Sequence, residues 1–196
     1  MGLSRAGFTV MGIDHKPQPR YPFHFIEGDW TMVREIVKAF DFQFIWASPP
    51  CQRYMKSGLV NKKGRPDLIG PVRDVLLSIG IPFVMENVPG APLRKDLMLC
   101  GSHVGLPIRR HRIFEIHGFT APQQPVCDHS NPVIGIYGNP QGKAGAWKTM
   151  LPGTVDSWKK AMDMPWAIHQ EISQAIPPPY SEYIAKEFIS QQKGKP

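Results

Sequence analysis

The sequence predicts an α/β fold with a mostly parallel sheet and helices on both faces, and three observations carry that expectation. Phe42-Gln43-Phe44-Ile45-Trp46-Ala47 and Ile81-Pro82-Phe83-Val84-Met85 are short apolar runs of the kind that form buried strands. Between them, Leu68, Ile69, Val72, Val75, Leu76 and Ile79 recur at helical spacing, with Pro66 near the start and Gly80 at the end. Each run also delivers chemistry at its carboxyl end, the first into Ser48-Pro49-Pro50-Cys51-Gln52 and the second into Glu86-Asn87-Val88-Pro89-Gly90. A right-handed crossover sets the carboxyl ends of adjacent parallel strands side by side, where open α/β sheets hold their ligands. Cys51 and Glu86 are therefore expected to share one crevice.

Composition bounds the rest. With 196 residues, 42% of them hydrophobic, the chain fits one domain spanning 1–196, and 21 prolines and 18 glycines imply many turns. The formal net charge of +7 favours a polyanionic partner, nucleic acid first, although charge alone leaves the partner open. Three cysteines, Cys51, Cys100 and Cys127, are too few and too odd for a disulfide framework and suit a reducing compartment. No apolar run approaches the roughly 18 residues that span a bilayer, and no signal peptide opens the chain. The expectation is a cytoplasmic protein with no membrane partner, and of undetermined oligomeric state.

Taken in order, residues 1–14 end in a short apolar strand closed by Asp14, which is either a turn former or a ribose-binding carboxylate. A nucleotide-binding α/β unit normally opens with a strand, a Gly-rich loop and a helix; here the first residues read as part of that helix. Residues 15–28 form a loop. Asp29 is an N-cap for a helix over 30–40, whose Met32, Val33, Ile36, Val37 and Phe40 make a core-facing stripe. After Cys51, the segment from Arg53 to Arg65, with Lys56, Lys62 and Lys63, has the composition of a mobile loop that can close over a phosphate backbone, or of a solvated surface loop. Residues 91–107 read as irregular. Arg109-Arg110-His111-Arg112 feeds a strand, Ile113-Phe114-Glu115-Ile116-His117, and is a candidate anion or base contact. Residues 118–132 are turn-rich, 133–137 a strand, and 138–153 a glycine-rich basic loop. Helices fill 154–163, about 167–175 and 180–191, the last with Tyr180, Ile184 and Phe188 in register.

Cys100-x-x-His103 and Cys127-x-His129 could together supply four zinc ligands. The second spacing is tighter than most zinc knuckles and no second cysteine pair supports it. The expectation is a buried cysteine and surface histidines, with no metal.

With these residues in place, the chain resembles the DNA cytosine-C5 methyltransferases. Pro49-Pro50-Cys51-Gln52 is similar to that family's nucleophile motif, Glu86-Asn87-Val88 to its acidic motif, and Arg110-x-Arg112 before Ile113-Phe114 to its arginine motif. Ala175-Ile176-Pro177-Pro178 before the final helix is similar to its last motif, and the motifs come in the family's order. The resemblance covers nearly the whole chain. It implies a Rossmann-like S-adenosyl-L-methionine (SAM)-dependent methyltransferase fold and transfer of a methyl group to C5 of cytosine in double-stranded DNA. It also implies roles. Cys51 adds to C6 of a flipped-out base, Glu86 engages N3 and the exocyclic amine, Arg112 holds O2, and Arg110 supports nearby anions. Asp14, Asp29, Trp30 and Pro49 fall on the cofactor side, and Gln52, Arg53, Lys56, Lys62, Lys63 and Arg65 on the DNA side.

Departures from the pattern accompany the matches. The family's opening strand and Phe-x-Gly-x-Gly loop are absent, its glutamine before the arginine pair is Ile108, and its Gly-Asn before the last motif is Ser173-Gln174. About sixty residues separate Arg112 from the last motif, so target recognition is expected to be reduced and centred on 118–153. Such compact forms look like those carried by phages or prophages, which puts the protein in a bacterial cell or infected host, with or without a partner restriction enzyme. Two alternatives stay open: a catalytically impaired relative that only binds DNA, and an enzyme acting at C5 of a free cytosine nucleotide.

Overall fold

A computed structural model describes residues 1–54, 64–136 and 150–194. These form a mixed α/β structure of two compact units, Met11–Met98 with Arg112–Gln123, and Met1–Val10 with Leu99–His111 and Gln124–Pro196. Among the described residues no helix is long and apolar enough to cross a membrane.

The first of these units carries most of the sheet. β1 (Met11–Asp14) and β2 (His24–Glu27) pair in parallel, Met11 opposite His24 and Asp14 opposite Glu27. A four-stranded sheet follows in the order β3-β4-β6-β5, from β3 (Ile45–Ala47), β4 (Phe83–Asn87), β5 (Leu97–Leu99) and β6 (Arg112–His117). β3 and β4 are parallel, as the crossover through the intervening helix α3 (Ile69–Ile79) requires. β4 and β6 are antiparallel. No α-helix lies between those two strands in the chain, so nothing carries it back for a parallel pairing. The expected single, mostly parallel sheet is therefore replaced, among the described residues, by three separate sheets, one of them mixed.

Helix α3 matches its sequence pattern. Ile69, Val72 and Leu76 are buried, and Gly80 ends the helix in the left-handed region at φ 78°, which glycine enters without steric cost. They pack with Phe83, Met85, Ala91, Leu93 and Ile113 into one apolar cluster. The stripe expected over 30–40 is not core. The α-helix there is only α2 (Val33–Ala39), preceded by a 3-10 turn at Trp30–Met32. Met32 in that turn and Phe40 in extended backbone lie outside the helix, so its periodicity does not carry them inward; they stay 42% and 50% exposed.

In the other unit, α1 (Gly2–Arg5) is a single helical turn, in accord with the expected helical start, and Phe8 contacts Phe188 of the final helix. β7 (Val133–Ile134) is shorter than the strand expected over 133–137. It pairs in parallel with β8 (Met150–Leu151), which falls in the segment read as loop. Helices α4 (Val155–Ala161), α5 (His169–Gln174) and α6 (Pro178–Lys193) complete it. Thr154 caps α4 reciprocally with Ser157, and Tyr180, Ile184 and Phe188 of α6 are buried. Trp158, Met162, Ala167 and Ile172 form the apolar centre of this unit with Ile108 and Ile136.

Candidate active site

Residue Ala47 of β3 lies opposite Met85 of β4, so the two parallel strands run out together at their carboxyl ends. From there Pro49 and Pro50 lead to Cys51, whose carbonyl accepts the Tyr54 N–H at 2.9 Å in a tight turn. Neither proline has an N–H to donate, so the turn is fastened through a carbonyl instead. Asn87, the last residue of β4 and 1% exposed, donates its Nδ2 to Pro49 O at 2.9 Å, while its Oδ1 accepts the Val88 N–H. A buried amide with both ends engaged is well satisfied. Cys51 itself is a free, half-buried thiol two residues past this anchor.

Antiparallel register decides which residues share a sheet face. Glu86 lies opposite Phe114, and Met85 opposite Glu115. Side chains alternate along each strand, so Trp46, Val84, Glu86, Arg112, Phe114 and Ile116 take one face and Ala47, Phe83, Met85, Ile113, Glu115 and His117 the other. On the first face, Arg112 Nε meets Glu86 Oε1 at 3.0 Å, both side chains being largely buried, and Trp46 packs against Phe114 with ring centroids 5.7 Å apart. Breaking such a buried pair by removing one member costs about 3–5 kcal/mol, because the survivor is left as an uncompensated charge. On the second face, Glu115 takes two bonds at 2.7 Å from Arg73 of α3, one from His117 at 2.8 Å and one from the Arg94 N–H at 2.9 Å. Burial pushes the Glu115 carboxyl up, but these donors, Arg73 first, outweigh it and hold the group at about 2.

The sequence-selected residues distribute as follows. Glu86 and Arg112 come into direct contact, and Cys51 and Pro49 sit on the turn that Asn87 anchors. Arg110 belongs to the other unit, where it is buried; its Nη2 donates to Ser173 O at 2.7 Å and its own carbonyl accepts the Tyr180 hydroxyl at 2.7 Å. Ser173 is thus used through its backbone, an interaction its side-chain identity does not affect. Asp14 ends β1 and accepts the Lys16 N–H at 2.9 Å. Asp29 follows β2, caps the next turn by accepting the Thr31 N–H at 3.0 Å, and is held below the usual carboxylate range by that backbone bond. Trp30 packs against the α3 cluster. Gln52 and Arg53 lie in the turn after Cys51. Arg53 Nη1 donates to Arg65 O at 2.8 Å, and Tyr54 bonds Asp67. Burial, then that carboxylate, push the Tyr54 hydroxyl up to about 12. Lys56, Lys62 and Lys63 fall outside the described residues.

Two features escaped the sequence reading. Asn87 has no role in the motif resemblance, although its place directly after Glu86 at a strand end is a usable signal. The Arg73–Glu115 network joins residues 42 apart and has no local signature. A second cluster also forms in the other unit, where Cys100, His111, Cys127 and His129 bring their ligand atoms within 4.8 Å of one another. Burial pushes the Cys100 thiol up, but hydrogen bonding by His111, the Ser102 backbone and His129 brings it down to about 6. Cys127 moves the other way, raised by burial and by its neighbour Cys100.

No protein-family description and no curated protein matches the chain. Among solved structures it is similar to a crystal structure of a mutant of Spodoptera frugiperda DNMT2, at 18% identity and a TM-score of 0.43. That similarity covers 63% of this chain and 48% of the other, so the chain spans about half the length of that protein.

Proposed function

We propose that the chain is a SAM-dependent DNA cytosine-C5 methyltransferase with Cys51 as its nucleophile. The observation that carries this reading is the Glu86–Arg112 pair at the end of β4, beside a turn whose Pro49 carbonyl is anchored two residues before Cys51. A carboxyl group and a guanidinium side by side match the edge of cytosine, which offers an exocyclic amine, a ring nitrogen and a carbonyl oxygen in a row. Glu86 engages N3 and the amine, and Arg112 holds O2.

Cytosine C5 is a poor nucleophile. The Cys51 thiolate adds to C6 and breaks the ring's aromaticity, which makes C5 electron-rich; a proton shared between Glu86 and N3 neutralises the charge of the adduct. SAM, when bound, supplies an electrophilic methyl group. Water, acting as base, then takes the C5 proton; the C5–H electron pair re-forms the C5–C6 double bond as the C6–S bond breaks, and Cys51 leaves as thiolate. A stacked base hides C5 and C6, so the target must be flipped out, with the basic segment from Arg53 to Arg65 supplying phosphate contacts. For the cofactor, Asp14 and Asp29 stand at or just past the carboxyl ends of adjacent parallel strands. Asp14 accepts the Lys16 N–H and lies 3.2 Å from His15 Nδ1, and Asp29 accepts from the Thr31 N–H and side chain. A carboxylate has about four lone-pair sites, so each keeps capacity for ribose hydroxyls and this donor set fits. Trp30 adds an aromatic surface for the adenine.

The test is covalent trapping on duplex DNA containing 5-fluorocytosine, where fluorine blocks the final elimination. With SAM present, wild-type protein should give a denaturant-stable adduct and Cys51→Ala none. Absence of the wild-type adduct, or its persistence in Cys51→Ala, overturns the mechanism. If calorimetry finds no SAM binding while DNA still binds, the protein is a DNA-binding relative. Methylation of dCMP but not of DNA transfers the reading to free nucleotides.

A further inference from the structure

We propose that Cys100, His111, Cys127 and His129 bind one zinc ion in a closed, structural site. All four belong to the same compact unit. Cys100 Sγ lies 3.4 Å from His129 Nε2, and Cys127 Sγ lies 3.5 Å from His111 Nε2. In a tetrahedral site with Zn–S of about 2.3 Å and Zn–N of about 2.05 Å, a sulfur–nitrogen edge is about 3.5 Å. Two edges of the required tetrahedron are therefore already at length. The widest remaining separation is at most 4.8 Å, so closing it onto one ion asks for a contraction of at most about 1.5 Å.

Two thiolates and two neutral imidazoles cancel the charge of a divalent ion, and this mixed sulfur–nitrogen set suits zinc. Four protein ligands leave no open position for water, which makes the site structural. In the bound site both sulfurs are thiolates, and binding displaces whatever thiol proton is still held, chiefly that of Cys127.

Local geometry supports the ligand choice. The 3-10 turn at Gly101–Val104 folds His103 back so that its Nδ1 accepts the Cys100 N–H at 3.1 Å, which orients the cysteine without placing His103 among the ligands. Gly101 permits this turn; a Cβ there would sit 2.2 Å from Ile108 O. His111 immediately precedes β6, and its ring meets that of His129 edge-on with centroids 5.2 Å apart. His129 is held from behind, its carbonyl accepting a bond from Arg109 and the next turn closed by Asp128 accepting from Ser130 at 2.9 Å.

The segment carrying Cys127 and His129 points the same way. Residues 121–130 have no helix or strand, yet Val126 stands 92% exposed while Cys127 turns inward. Hydrophobic burial would have chosen the valine. An ion fastening Cys127 and His129 to Cys100 and His111 accounts for the inverse arrangement and anchors a segment that has no strand partner.

The test uses the full chain purified under reducing conditions. Elemental analysis should find about one zinc per chain, and cobalt(II) should give the intense visible bands and thiolate charge transfer of a tetrahedral site. His129→Ala and Cys127→Ser should each lose most of the metal, whereas His103→Ala should keep it. If Cys127→Ser does not fold, the wild-type cobalt spectrum and His129→Ala still decide. The proposal is overturned by a reduced wild-type chain that holds no zinc and shows no cobalt–thiolate band. It is equally overturned if His103→Ala loses as much metal as His129→Ala, rather than showing the roughly 10–100-fold weakening of an orienting residue, or by a metal-free chain with a Cys100–Cys127 disulfide.

Discussion

Glu86 and Glu115 stand on neighbouring strands of one sheet, both all but buried and both paired with arginine, yet on opposite faces. Glu115 is closed off by two Arg73 bonds, His117 and a backbone N–H, so each oxygen is spoken for. Glu86 meets Arg112 through Nε near the carboxyl end of β4, and the Cys51 turn departs from the neighbouring end of β3. The contrast teaches that a buried carboxylate is not in itself a sign of chemistry. The face it occupies, and what else reaches that face, separate the Arg73 network from the carboxylate proposed to engage the base.

The widest way to separate the two is substitution by glutamine. Glu86→Gln should lower kcat about 10²–10⁴-fold in a methyl-transfer assay, the usual weight of an acid–base group. Glu115→Gln should cost about 3 kcal/mol in denaturant unfolding while the folded fraction keeps kcat within about threefold. Activity lost in Glu115→Gln with stability intact would erase the distinction.

Acid sharpens it next. Glu115 sits at about 2, below the ordinary glutamate value of 4.5, so its contribution is complete above that value and is lost as pH falls from about 4.5 toward 2. The stability gap between wild type and Glu115→Gln, measured from denaturant midpoints at pH 7, 5, 4 and 3, should therefore shrink over that interval. A gap that stays constant down to pH 3 would deny the network its electrostatic character.

The smallest expected effect is at Asn87. Removing its amide with Asn87→Ala orphans the buried Pro49 carbonyl and should cost about 1–2 kcal/mol. Adduct formation with 5-fluorocytosine DNA should slow as well. An unchanged trapping rate would show that the Cys51 turn holds its shape without the anchor.

Much of this was legible where the signal is local. Helix α3 announced itself because Ile69, Val72 and Leu76 lie on one face and Gly80 ends it. Glu86 at the end of a buried apolar run was readable for the same reason. What sequence missed depends on distant partners. β5 and β8 are three and two residues long, too short for periodicity, and exist only because a neighbour completes them. Arg73 finds Glu115 across 42 residues. In sequence, Cys100-x-x-His103 reads as half of a zinc set that the remaining spacing argues against. The 3-10 turn places the His103 Nδ1 on the Cys100 N–H, and His111, which has no such spacing signal, joins Cys100, Cys127 and His129 instead.

The alternation along β4 and β6 also gives Glu115 a second consequence. Sliding β6 by one residue against β4 would send Glu115 into the crevice of Glu86 and turn Arg112 toward the apolar cluster. Such a slip would tear both Arg73 bonds, the His117 bond and the Arg94 bond from a buried carboxylate at once. The glutamate on the far face thus works as a registration pin, and the alignment of Glu86 with Arg112 is guarded from the other side of the sheet.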